Sequence, residues 1–319
     1  MKEDRKKIVI ALGGNALQDA KGPATAEAQL DLVKMTCNYI SEFINRGHAI
    51  VIVHGNGPQV GRILLATETA ANLTPAMPFD VCGAMSQGYI GYHIQQALGT
   101  ILKRKGCDLP VVTLLTQLVV DQTDSAFQNP TKPIGSFYSE DEAKILAQEK
   151  GYVMKEDAGR GWRRVVASPV PKEIVEIDTV KRLWDSTVVI TAGGGGIPVI
   201  KHTDGSLEGI AAVIDKDLAA ELLAEQLDAD ILMILTEVEK VSIYFNRPNQ
   251  KELMEITVEQ GEQYMKEGHF APGSMLPKIQ AAIKFVKGNP RRKVIITSLD
   301  KAIEGFEGKT GTVITSFMP

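Results

Sequence analysis

The segment Val213-Ile214-Asp215-Lys216-Asp217-Leu218 puts a lysine and an aspartate in the first turn of a predicted helix. Asp215 reads as its N-cap, with Leu218, Leu222 and Leu223 toward the core. The positive end of a helix dipole disfavours a lysine there by about half a kcal/mol. That cost makes sense if Lys216 reaches into an anion site while Asp217 steadies a lysine. A second lysine, Lys278, follows Pro277 in Ala271-Pro272-Gly273-Ser274-Met275-Leu276-Pro277-Lys278. Proline suits the first helical position, so Lys278 is expected just inside another helix amino end. Two cations at helix amino ends suggest phosphate chemistry, although either could be a solvated residue on a capped helix.

Three glycine clusters are the natural company for such lysines. They are Gly13-Gly14-Asn15, His54-Gly55-Asn56-Gly57 and Gly193-Gly194-Gly195-Gly196, each directly after an apolar run. Glycine lets the backbone approach an anion and turn its N–H groups inward, and a following helix would add a positive dipole end. One such turn is weak evidence, whereas three in one chain point to a shared anionic ligand. Two familiar nucleotide signatures fail. Gly55 to Gly61 has one residue too many for a dinucleotide fingerprint, and Gly308-Lys309-Thr310 has Ile303 where a phosphate loop needs its first glycine. The chain has no HExxH, no CxxC and no serine elbow, and its five histidines have no metal-ligand spacing.

The elements that must position these residues are β-branched runs of strand length: Lys7 to Leu12, Ala49 to His54, Val111 to Leu115, Val188 to Ala192, Ile231 to Thr236, Val294 to Ser298 and Thr312 to Thr315. Helical spacing separates them. In Ala26 to Arg46, residues Leu30, Val33, Cys37, Ile40 and Ile44 share one face and Gly47 closes the end. Continuous apolar strands alternating with helices predict a three-layer α/β/α sandwich around an open, mostly parallel sheet. Ligands of such sheets bind beyond the strands' carboxyl ends, where all three glycine clusters fall. One stretch breaks the rhythm. Residues 121–171, rich in Pro, Gly, Asn and charge, are expected to form a small protruding subdomain or lid.

With 319 residues, 44% of them hydrophobic, the chain can bury one large core or two moderate ones. A net charge of −4 and an isoelectric point near 5.8, with scattered Lys and Arg, give no field to recruit nucleic acid or an anionic membrane. Cys37, Cys82 and Cys107 lack paired spacing and suit a reducing compartment. The amino terminus runs into an apolar strand too short for a signal segment or a membrane span. A cytoplasmic protein is expected.

At these residues the chain resembles the amino acid kinase family, and within it the members that phosphorylate carbamate. The resemblance is carried by ALGGNAL at 11–17, VHGNGPQVG at 53–61, NPTKPIG at 129–135, GRGWRRVVASP at 159–169, TAGGGGIPV at 191–199, AVIDKDLAAELLA at 212–224, LTEVEKV at 235–241 and GSMLPKIQAA at 273–282. It implies reversible phosphoryl transfer between ATP and carbamate, giving carbamoyl phosphate and ADP. It also implies magnesium carried with the nucleotide, a homodimer, and operation toward ATP at the end of arginine catabolism. By this resemblance Lys132, Lys216 and Lys278 neutralise the transferring phosphoryl and Asp217 orients the lysines. Gly13, Gly14, Asn15, Gly55, Asn56 and Gly57, with Arg160 or Arg163, hold the acceptor. Gly194, Gly195, Asp215, Thr236, Val238, Val241, Met275 and Pro277 face the nucleotide. The acceptor would occupy residues 1–190 and the nucleotide residues 191–319 of one kinase domain.

One departure is informative. Relatives such as acetylglutamate kinase carry a lysine just before the first glycine pair, where this chain has Ala11. Lys132, stiffly presented between Pro130 and Pro133, is the candidate replacement alongside Lys216. Glu237-Val238-Glu239 also replaces the Asp-containing stretch of other members, so their magnesium ligands do not transfer, and no tightly bound metal is expected. Two rival readings stay open: a kinase for another small carboxylate, such as glutamate or aspartate, and a catalytically silent nucleotide sensor.

Overall fold

The run Lys7–Leu12 is buried from Ile8 onward, and its side chains divide by parity. Val9 and Ala11 enter one core, with Val51, Val53, Leu232 and Ile234; Ile8, Ile10 and Leu12 enter the other, with Ile50, Ile52, Met233 and Leu235. The period-two alternation of a strand thus feeds two apolar layers. Helices Lys216–Gln226 and Met275–Gly288 cover the first layer, and Ala26–Asn45 and Phe79–Arg104 the second. This computed structural model describes residues 4–18, 22–157 and 159–317, without the side chain of Asn15.

The central sheet contains β1 (Lys7–Leu12), β2 (Ala49–His54), β3 (Val111–Thr113), β4 (Val188–Ile190), β5 (Ile231–Thr236), β6 (Glu255–Thr257), β7 (Lys293–Ser298) and β8 (Thr312–Thr315). Their spatial order is β6-β8-β7-β5-β1-β2-β4-β3, parallel throughout except where β7 meets β8. All seven expected strands are present, although those starting at Val111 and Val188 stop two residues early. Sequence periodicity missed β6, the hairpin Val241–Ile243 with Lys251–Leu253, and a second sheet. That sheet orders Leu207–Gly209, Ile197–Lys201, Gln117–Val120 and Pro171–Ile174.

Residues 121–171 are built rather than irregular. Lys132–Tyr138 and Met154–Glu156 flank Trp162–Val166 in an antiparallel sheet, accompanied by the helix Glu140–Lys150. Ser139 and Glu142 start that helix with a reciprocal capping box, and Gly151 ends it at a positive φ. Ile134 and Val166 dock the unit against Val60 and Leu64 of Gly57–Thr69 and Phe79 and Cys82 of Phe79–Arg104.

The four-glycine turn has a steric cause. Gly193–Gly195 is a single tight turn leading into the strand Ile197–Lys201, so the helix expected after this cluster is absent and supplies no dipole. A Cβ on Gly194 would stand 2.1 Å from Asn56 Nδ2, and one on Gly195 2.1 Å from the Ile214 carbonyl oxygen, with φ of +68° and +93°. Backbone cannot retreat as a side chain can. Gly195→Ala should therefore cost more than about 2 kcal/mol, as a left-handed strain compounded by a backbone clash. Chemical denaturation checks this, and a loss below about half a kcal/mol would contradict it.

Candidate active site

The carboxyl ends of β1, β2, β4 and β5 lie on one edge of the sheet, because these strands are all parallel. Asp215 caps the helix Lys216–Gln226 as expected: its Oδ1 accepts from the Asp217 N–H at 2.9 Å. The cap holds Asp217 in the first turn, where its carboxylate is almost completely buried. Lys216 Nζ donates to Asp217 Oδ1 at 2.6 Å and Lys278 Nζ to Oδ2 at 2.9 Å. Lys132 Nζ donates to Asp215 Oδ2 at 3.1 Å. Three lysines from distant parts of the chain are thus gathered on two aspartates, as two helix amino ends and the 121–171 unit meet.

Burial alone would push the Asp217 carboxyl up, but the ammonium groups of Lys216 and Lys278 outweigh it and hold the carboxyl below its ordinary range. The helix bearing Lys278 begins at Met275, two residues earlier than the proline rule implied, so Pro277 is its third residue. Lys278 Nζ also donates to the Ser274 carbonyl at 3.3 Å. The Lys216 stem packs at Gly55, where an added Cβ would lie 3.6 Å from its Cδ.

Not every expected backbone donor faces a ligand. The Gly13 N–H donates to the Leu235 carbonyl at 3.0 Å and the Gly55 N–H to the Leu12 carbonyl at 3.2 Å, so both extend the sheet ladder. Gly14, Asn56 and Gly57 stand at the starts of a short turn and of the helix Gly57–Thr69, where N–H groups have no intrahelical acceptor. Neither start has a side-chain cap. The Asn56 side chain donates to Ser86 Oγ at 2.7 Å. His54 bonds the Gly55 carbonyl through Nδ1, and burial lowers its pKa to about 4, leaving a neutral ring packed on Gly193. Asn15 is expected on the acceptor, but its side chain lies outside the described residues.

Arg160 and Arg163 are not gathered onto the lysine cluster. They hold Asp157 at 2.9 Å and 3.2 Å and lie over the Phe137 ring, and Arg163 also donates to the Gly135 carbonyl. These contacts fasten the 121–171 unit internally.

A cavity of about 680 Å³ opens beside the cluster. Thr236, Val238 and Met275 line it as expected, and so does Ser274, whose carbonyl contacts Lys278. Val241 is instead fully buried in the core, while Gly194, Gly195, Asp215 and Pro277 are not among the cavity's lining residues. Sequence reasoning missed Lys240, Tyr244, Phe245, Arg247, His269 and Phe270 in the cavity wall. The Tyr244 and His269 rings meet edge-on at 4.4 Å, and Tyr244 has a φ of +54°, unusual for an aromatic residue. The available signal was the aromatic pair in the otherwise polar SIYFNRPNQ at 242–250. Among the described residues no three His, Cys, Asp or Glu side chains gather as a metal cage.

A buried carboxylate clamping two lysines, glycine turns beside them and an adjoining cavity, on a three-layer α/β fold, are the features a phosphoryl-transferring enzyme requires. Residues 6–298 match the amino acid kinase family, and the chain belongs to it. It is 54% identical over 313 residues to the carbamate kinase of Pyrococcus horikoshii, covering 97% of this chain and 99% of that protein. It is also 54% identical over 313 residues to the carbamate kinase-like protein YqeA of Escherichia coli, with the same coverage. The structure of Giardia lamblia carbamate kinase bound to AMP-PNP superposes with a TM-score of 0.93 at 45% identity, covering 99% of both chains.

Asp217→Asn removes the counter-charge from two lysines where water is largely excluded. It should cost about 3 kcal/mol at neutral pH. Because the native carboxyl is held below its unfolded value, its contribution is complete above the ordinary carboxylate range and is lost as pH falls through the lowered native value. The stability gap between wild type and variant should therefore close in acid. Denaturant titrations across pH check this, and a pH-independent gap would contradict it.

Proposed function

We propose that the chain reversibly transfers a phosphoryl group between ATP and carbamate, forming carbamoyl phosphate and ADP. The observation that carries this reading is the convergence of Lys132, Lys216 and Lys278 on Asp215 and Asp217 between the β1 and β2 turns and the cavity. Phosphoryl transfer needs in-line positioning and charge neutralisation more than covalent help. A carbamate oxygen attacks the γ-phosphorus as the bond to the β–γ bridging oxygen breaks, and ADP leaves with that electron pair. Carbamate already bears a negative oxygen, so no general base is needed. Lys216 and Lys278 stabilise charge on the transferring oxygens while Asp217 keeps both ammonium groups aimed.

The acceptor fits the first 190 residues, at the amides of Gly14, Asn56 and Gly57, and the nucleotide fits the remainder, over Thr236, Val238 and Met275. The 121–171 unit serves as a lid that brings Lys132. Magnesium enters with the nucleotide. Two copies pair as a homodimer. Unpaired Cys37, Cys82 and Cys107 suit a reducing cytoplasm, and flux toward ATP would end arginine breakdown.

An assay of ATP formation from carbamoyl phosphate and ADP tests the reading, with glutamate and aspartate as rival acceptors in the ATP-consuming direction. Lys278→Ala should lower kcat at least about a hundredfold, near 3 kcal/mol, while ADP binding weakens less. Near-normal turnover would remove Lys278 from the mechanism. Dialysed protein should hold no stoichiometric metal yet require added magnesium for turnover, since Asp215 and Asp217 cannot form a cage and are committed to lysines. Elemental analysis showing one retained ion per chain would contradict this.

A further inference from the structure

We propose that Asp215 is a positioning residue whose carboxylate fixes the Lys132 ammonium beside the Lys216–Asp217–Lys278 cluster while starting the helix that carries that cluster. This rests on the phosphoryl-transfer reading and assigns Asp215 a role other than touching the nucleotide. Both oxygens are committed inside the protein, Oδ1 to the Asp217 N–H and Oδ2 to Lys132 Nζ. Capping explains only the first. Asparagine or serine would cap equally well, so the negative charge has its reason in Lys132.

The ion pair is not required to hold the two segments together. The Val213 N–H donates to the Ala167 carbonyl at 2.9 Å, Lys132 is in register with Val166, and the Thr131 N–H donates to the Val166 carbonyl. Those backbone bonds bring the 121–171 unit alongside residues 212–213. They do not direct a four-carbon stem that is one-third exposed. A lysine so placed samples many rotamers unless a partner holds its head. Asp215, only 14% exposed and fixed by its own cap bond, is that partner. One side chain thereby sets the lysine of the 121–171 unit and the helix bearing Lys216 in a common frame.

The test compares full-length wild type, Asp215→Asn, Lys132→Ala and the double variant. Asn retains an oxygen for the cap, so the melting temperature should stay within about 2 °C of wild type. In the carbamoyl phosphate and ADP assay, Asp215→Asn should lower kcat about tenfold with KM for ADP within about twofold. The double variant should be no slower than Lys132→Ala, because both changes remove one element. An activity-independent readout is the acylation rate of each lysine by an amine-reactive ester, followed by mass spectrometry. Losing the carboxylate should speed acylation of Lys132 about threefold or more and leave distant lysines unchanged. Unchanged labelling of Lys132 in Asp215→Asn, or kinetic losses that multiply, would overturn the proposal. A wild type without transfer activity would refute the functional reading, while labelling would still decide whether Asp215 holds Lys132.

Discussion

A negative charge taken out of water must be answered nearby, and in this chain the charge is Asp217. Its carboxylate is buried at the start of a helix, where the dipole favours it, and each oxygen meets a lysine. Much of the surrounding architecture follows from that need. The Lys216 stem runs past Gly55 in the β2 turn, within ordinary van der Waals reach of where a Cβ would stand. Lys278 must arrive from a second helix amino end, which fixes how Met275–Gly288 packs on Lys216–Gln226. In the proposed reaction the two cations would already be in place for phosphate oxygens, with no rearrangement of solvent when they act.

The fold was legible because its signals are continuous and local. A strand such as Ala49–His54 is buried on both sides and reads as an unbroken β-branched run, so its bounds came out unchanged. The second sheet stayed hidden for the converse reason. Gln117–Val120 and Pro171–Ile174 are four residues long, half exposed and far apart in sequence, and their pairing is made only by tertiary contact. The 121–171 segment looked irregular because its proline and glycine content dominates. Its three strands and its helix are each short, and only a capping box at Ser139 and Glu142 marked the helix locally.

The site was legible unevenly. Lys216 stood out because it violates a helix-dipole preference, and such local conflicts mark function. Arg160 and Arg163, expected on the acceptor by resemblance, instead contact Asp157 and Phe137 within their own unit, a pairing that sequence spacing did not reveal. The glycine turns carried two meanings at once. At Gly14 and Gly57 an added Cβ meets nothing, as an open cradle requires, while at Gly194 and Gly195 every such position is already filled by a neighbour. Sequence cannot separate these, because both demand the same residue.

The strand order has a metric consequence for the proposed reaction. The β2 and β5 turns, one on the acceptor side and one at the cavity, flank β1 directly and leave the same edge of the sheet. Neighbouring strands are spaced by hydrogen bonding at about 4.8 Å, so these two anchors lie about 10 Å apart. The backbone ladder thus acts as a ruler laid across the reaction axis. It measures a gap that a phosphoryl group and one small acceptor can fill, and lengthening the acceptor would require a change in loops, since the sheet's spacing cannot stretch.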